Sequence, residues 1–116
     1  GEQQRVILAR AFAQNASLLL LDEPTTHLDI HYQMEFLDLL LEHVKEEKTS
    51  VIIALHDLNQ ALRFCDEIRL LSQGRIFAGG KPKKGLTEEK LSEVYQYPIR
   101  IRQSEDESPA FIYPKY

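Results

Sequence analysis

Three hydrophobic periods run along this chain, and each predicts a different element. Residues 2–15 place Val6, Leu8, Ala9, Ala11, Phe12 and Ala13 among Gln and Arg, with no Pro or Gly. That pattern predicts a helix with a broad apolar face, ending near Asn15. Four consecutive leucines, Leu18 to Leu21, then lead to Asp22-Glu23-Pro24. A short apolar run closed by a turn signal predicts a strand over 17–21, buried on both faces as in a parallel sheet. Next, Ile30, Met34, Leu37, Leu41 and Val44 step by 4, 3, 4 and 3. Those steps predict one face of a helix, which Asp29 can cap. "SVIIAL", residues 50–55, predicts a second buried strand, and a helix follows from about Leu58 to Phe64.

The pattern changes in the last third. "EIRLLSQGRIFAG" alternates around Gly74 and predicts a β-hairpin. "GGKPKKG" is a basic, Gly-rich loop. Thr87 then caps a helix whose first turn holds Glu88 and Glu89, where the helix dipole favours acids. "YPIRIRQ" suits a short strand, "SEDESP" an acidic solvated loop, and "AFIYPKY" a final edge strand. Helix and strand alternate, so the expected class is α/β with parallel strands. The sheet is thin for that class, and one face or edge is expected to be uncovered.

Composition narrows the function. The 116 residues fit one small domain, 43% hydrophobic and 28% charged. A formal net charge of −4 gives no net basic field for nucleic acid. The single Cys65 excludes an internal disulfide and a cysteine-based metal cluster, and reads as a small core residue. No apolar run approaches the ~18 residues that span a bilayer.

Chemistry gathers at the predicted strand ends. Asp22 and Glu23 close the first strand and His56 follows the second. In open parallel sheets ligands bind beyond the carboxyl ends of the strands, so the three side chains are expected to converge. One carboxylate there can hold Mg²⁺ among water and phosphate oxygens. The next can polarise an attacking water, and a histidine can hydrogen-bond a γ-phosphate. Plainer readings stand beside these. Asp22-Glu23-Pro24 is also a turn signal, Asp57 can cap the helix after His56, and Asp29 can be an ordinary N-cap.

With those residues in view, the chain resembles the ATP-binding cassette (ABC) ATPases. "GEQQRV" is similar to the end of their LSGGQ-type signature, with Gly1 as its second glycine and Glu2 as its last position. "LLLLDEP" resembles the Walker B strand, "THLD" the D-loop, and His56 in "ALHDLNQA" the switch histidine. The likeness is firm over 1–80 and looser over 81–116. It implies an α/β fold like a P-loop NTPase three-layer sandwich, here with its N-terminal part missing. Residues 1–80 would be the C-terminal part of the ATPase core, and 81–116 its extension, with a small hairpin and helix. It further implies ATP and Mg²⁺ as cofactors, Asp22 positioning Mg²⁺, Glu23 as general base and His56 on the γ-phosphate. Asp29 would act across a dimer interface, and Gly1 and Glu2 would face ATP held by the opposite subunit. A helix N-terminus suits phosphate. The expected partners are a second ATPase subunit and transmembrane permease subunits, at the cytoplasmic face of the membrane, with no nucleic acid.

The resemblance also implies a preceding segment with the phosphate-binding loop G-x-x-x-x-G-K-[ST]. The 116-residue chain alone is therefore expected to be inactive and prone to self-association. Gly80 to Thr87 imitates that loop, but Leu86 replaces its Lys and Pro82 removes an amide. It reads as a solvated loop. Within the family, "LDEPTTHLDI" and "HDLNQALRFCDEIRLLSQGRI" resemble importer ATPases for iron-siderophore, haem and cobalamin, with His27 where Tyr, Ser or Ala is frequent. The alternative is a non-transport ABC ATPase of DNA repair or translation. The absence here of heptads and of a cysteine cluster counts against it.

Overall fold

A computed structural model describes the chain except residues 1, 82–85, 104, 107–109 and 116, and the side chains of 2–5 and 7. The chain divides into two compact units, residues 1–56 and 57–116.

The first unit holds α1 (Glu2–Ala13), β1 (Leu18–Asp22), α2 (Ile30–Glu47) and β2 (Ser50–Ala54). Helix α1 stops where expected, with Asn15 in the left-handed region at φ 51°. Strands β1 and β2 run parallel, in a register that pairs Leu18 with Ser50 and Asp22 with Ala54. Leu8, Leu19, Phe36, Leu37 and Leu40 form the buried core. Each Leu there contributes on the order of 1.5–3 kcal/mol by leaving water.

One expectation fails here and another holds in part. Burial of β1 and β2 on both faces does not hold: Leu20 is 71% and Ile52 63% exposed, with Leu18 beside them on the bare side. The α2 stripe is covered in part: Leu37 is buried and Met34, Leu41 and Val44 are half-buried, but Ile30 is 74% exposed, and Phe36 and Leu40 join the buried side. A hydrophobic run reports that a surface wants cover, and among the described residues only one face of this two-stranded sheet receives it.

The second unit holds α3 (Leu58–Phe64), β3 (Ile68–Ser72), β4 (Arg75–Gly80), α4 (Glu88–Tyr95), β5 (Ile99–Arg102) and β6 (Phe111–Pro114). Strands β3 and β4 form the expected hairpin. Its two turn residues, Gln73 at φ 50° and Gly74 at φ 73°, both have positive φ, as the twist of a two-residue hairpin demands. Thr87 caps α4 by accepting from the Lys90 amide at 3.2 Å. The two tail strands are present and pair antiparallel with each other. Among the described residues parallel pairing is thus confined to β1 and β2, and the two antiparallel pairs stand as separate small sheets. Asn59 ties α3 to β6 in the manner of a strand neighbour: its amide donates to Ile112 O at 3.0 Å and accepts from Ile112 N at 2.7 Å.

Candidate functional site

The site forms within the first unit, at the C-terminal ends of β1 and β2. Register places Asp22, the last residue of β1, beside Ala54, the last of β2. One step on, the Glu23 amide donates to Ala54 O at 3.0 Å, so pairing continues just past the strand end. Glu23 sits at φ 47°. A non-glycine residue in the left-handed region costs on the order of 1 kcal/mol, and such strain gathers at functional sites. This turn redirects the Glu23 carboxylate, and Oε1 comes to 2.7 Å from Nε2 of His56. Both side chains remain open to solvent, 42% exposed for Glu23 and 78% for His56. The contact is a hydrogen bond when Nε2 carries the proton of a neutral ring, and an ion pair when the imidazole is protonated.

Beyond Glu23 the chain makes a compact loop. Thr26 N donates to Glu23 O at 3.3 Å, and Leu28 N donates to Thr25 O at 3.2 Å. Thr25 is buried, and His27 is the second strained residue, at φ 73°. Asp29 ends the loop and caps α2, accepting from Tyr32 N at 3.1 Å. Both readings of the turn residues therefore have a geometric basis: Asp22-Glu23-Pro24 is a turn, and it delivers a carboxylate to His56.

The structure brings together Glu23 and His56, with Asp22 at the adjoining strand end. Asp29 stands at the far end of the same loop, engaged as an N-cap. Asp57 is also a cap, accepting from Asn59 N at 2.9 Å and Gln60 N at 3.2 Å. Capping by Asp57 and contact with Glu23 by His56 thus coexist. Gly1 lies outside the described residues. Glu2 opens α1, but its side chain lies outside them too, as do residues 82–85 of the imitation phosphate loop. Among the described residues, no group of three or more His, Cys, Asp or Glu side chains could hold a metal ion. Asp22 is thus a single exposed carboxylate, a donor set suited to a cation that takes most of its ligands from phosphate and water.

Sequence reasoning missed Gln33. Its Nε2 donates to Leu28 O at 2.8 Å and to Thr25 O at 3.4 Å. A glutamine in an amphipathic helix reads as a solvated position, and no local pattern marks one that folds back onto its own N-terminal loop. Cys65 is half-buried, and burial first, then the Asp66 charge, push its thiol pKa up.

With this geometry in view, comparison with known proteins shows what the chain is similar to. Residues 1–26 match the family model described as ABC transporter. Over those residues the chain is similar to the ABC transporter family. It is 41% identical over 117 residues to the hemin import ATP-binding protein HmuV of Shewanella denitrificans, across 97% of this chain and 46% of that protein. It is 42% identical over 95 residues to the ferric enterobactin transport ATP-binding protein FepC of Escherichia coli, across 82% of this chain and 35% of that one. The cobalamin import ATP-binding protein BtuD of Halobacterium salinarum is 40% identical over 101 residues, across 87% of this chain and 25% of BtuD. A solved metal-chelate type ABC transporter, captured facing inward, superposes with a TM-score of 0.87 at 28% identity, over 99% of this chain and 47% of that one. The chain therefore spans between a quarter and just under half of the length of these relatives. Among the described residues, no helix is long and apolar enough to cross a membrane.

Proposed function

We propose that this chain is the C-terminal part of an ATPase subunit that powers import of an iron chelate, haem or cobalamin. Residues 1–80 are then the end of the ATPase core and 81–116 its extension. The observation that carries the reading is the 2.7 Å contact between Glu23 and His56 at the ends of two parallel strands. That place is where an α/β sheet presents side chains to a phosphate ligand. The import ATPases among the relatives support the choice of cargo class.

In this reading Glu23 is the general base, and His56 holds both the carboxylate and the terminal phosphate in register. Asp22 would supply one carboxylate to Mg²⁺, a cation suited to a site with few protein ligands. Mg²⁺ bound there would neutralise charge on the phosphates. Phosphoryl transfer depends mainly on positioning and electrostatics, so the strained turn at Glu23 has a use: it fixes the base before ATP arrives. Glu2, the first residue of α1, Gly1 before it in sequence, and Asp29 serve the ATP of a second subunit in a homodimer. Permease subunits complete the assembly at the cytoplasmic face of the membrane.

The test compares Mg-ATP binding and turnover by the 116-residue chain with a version joined to a preceding segment that carries a phosphate-binding loop. The short chain is expected to be silent, the long one active, and Glu23→Gln in the long one inactive. Turnover by the short chain alone would place the phosphate site elsewhere and overturn the reading.

A further inference from the structure

Between Glu23 and Asp29 the backbone holds two non-glycine residues at positive φ, Glu23 at 47° and His27 at 73°. A loop with two strained residues keeps one shape only if its surroundings over-determine it. Its own bonds are few: Thr26 N to Glu23 O, and Leu28 N to Thr25 O at 3.2 Å. Leu28 precedes the Asp29 cap, so its carbonyl has no partner in the helical ladder of α2. Gln33, in the first turn of that helix, fills that gap and adds a second bond to the Thr25 carbonyl. One amide group donates to Leu28 O at 2.8 Å and to Thr25 O at 3.4 Å. The Gln33 backbone N meanwhile bonds Asp29 O at 2.9 Å, so its own helical position is secured.

We infer that Gln33 is a positioning residue: its side-chain amide clamps the loop that carries Glu23 at one end and Asp29 at the other. The inference rests on the ATPase reading, and it adds a residue outside the reacting groups that sets their geometry. The side chain touches neither Glu23 nor His56 among the contacts above. It acts on the two carbonyls that define the loop's bend. A small displacement of a base from its working geometry is enough to cost one to two decades in rate.

The test uses the intact subunit with turnover restored, and two variants beside the native protein. Gln33→Met keeps length and helix propensity but removes the donor. Gln33→Lys keeps a donor at similar reach. Gln33→Met is expected to lower kcat about tenfold, with KM for Mg-ATP within about twofold and Tm little changed. Gln33→Lys is expected to recover most of the loss. In the Gln33→Met variant, hydrogen exchange at the Leu28 amide should quicken several-fold while the core of α2 stays protected. Unchanged kcat in Gln33→Met overturns the inference. So does a loss that follows Tm and is not relieved by Lys. Glu23→Gln runs alongside as the separate control. If it abolishes turnover while Gln33→Met does not, only the clamp fails. If Glu23→Gln turns over normally, the ATPase roles fall, and the role of Gln33 with them.

Discussion

Oε1 of Glu23 and Nε2 of His56 stand 2.7 Å apart although a whole helix and a strand separate them in sequence. Two features create the contact. Parallel register brings the ends of β1 and β2 level, and the left-handed turn at Glu23 aims its side chain sideways. The pair is exposed, so it adds little to stability: ion pairs in water are worth about 0–1 kcal/mol. A double-mutant cycle with Glu23→Gln and His56→Ala, read by urea unfolding of this chain, is expected to show a coupling below about 0.5 kcal/mol. In the intact subunit each single variant should lower turnover by about a hundredfold or more. Strong coupling in stability with intact turnover would make the contact structural.

Strain at Glu23 gives a second, separable outcome. Glycine accepts φ near 47° without steric cost. Glu23→Gly is therefore expected to leave stability within about 0.5 kcal/mol of native or above it, despite the entropy that glycine loses on folding. Glu23→Val, β-branched and poorly suited to this region, should lose about 1–2 kcal/mol. Thermal unfolding of the two variants decides it: equal melting temperatures would mean that the turn relaxes freely.

Much of this architecture is legible in the amino-acid order. Local signals specify α1, α3 and the hairpin, because helix ends, caps and turn residues act within a few positions. The meeting of Glu23 and His56, with Asp22 at the adjoining strand end, follows from two strand assignments alone. Two things are not legible there. That a face would stay bare follows from the thin sheet, but that it is the one carrying Leu20 and Ile52 depends on what packs against the other side. The folding back of Gln33 depends on where Leu28 and Thr25 point their carbonyls, which is a property of loop dihedrals rather than of composition.

The two aspartate caps make a third prediction. Asp57 accepts two amides and Asp29 one. Replacing either with Ala is expected to cost about 1 kcal/mol, Asp57 the more. Asp57→Ala should leave turnover of the intact subunit near native, while Asp29→Ala should lower it beyond its effect on stability. Equal loss of turnover in both would reduce Asp29 to a cap.

Cys65 supplies a pH test. Burial and the neighbouring Asp66 raise its pKa, so the folded protein holds the thiol proton more tightly than the unfolded chain. The folded state then binds more protons at alkaline pH, and stability falls as pH rises. The contribution is fully present below the ordinary thiol pKa, about 8.5, and is lost as pH climbs through the raised value. Tyr95, also raised by burial, adds to the same slope further up. Cys65→Ala should flatten the first part of that slope in urea titrations. Iodoacetamide should label Cys65 several-fold more slowly than it labels the unfolded chain at about pH 8. Equal labelling rates in the folded and unfolded chain would remove the burial argument.

The uncovered sheet face leads to the last prediction. Leu18, Leu20 and Ile52 lie side by side on the outer face of the parallel pair, with Leu20 71% and Ile52 63% exposed. Burying such a surface is worth about 25 cal/mol per Å², so a few hundred Å² exceed the thermal energy many times over. Among the described residues neither outer edge of the pair meets another strand, and such edges tend to pair with other chains. At high concentration the 116-residue chain should self-associate, and its sedimentation coefficient should rise with concentration. Leu20→Lys places a charge at the centre of the face without touching the core of Leu19, Leu37 and Leu40. It should return the chain to a monomer with its melting temperature little changed at low concentration. A native chain that sediments as a monomer throughout, or a Leu20→Lys chain that still associates, would move the contact surface away from β1 and β2.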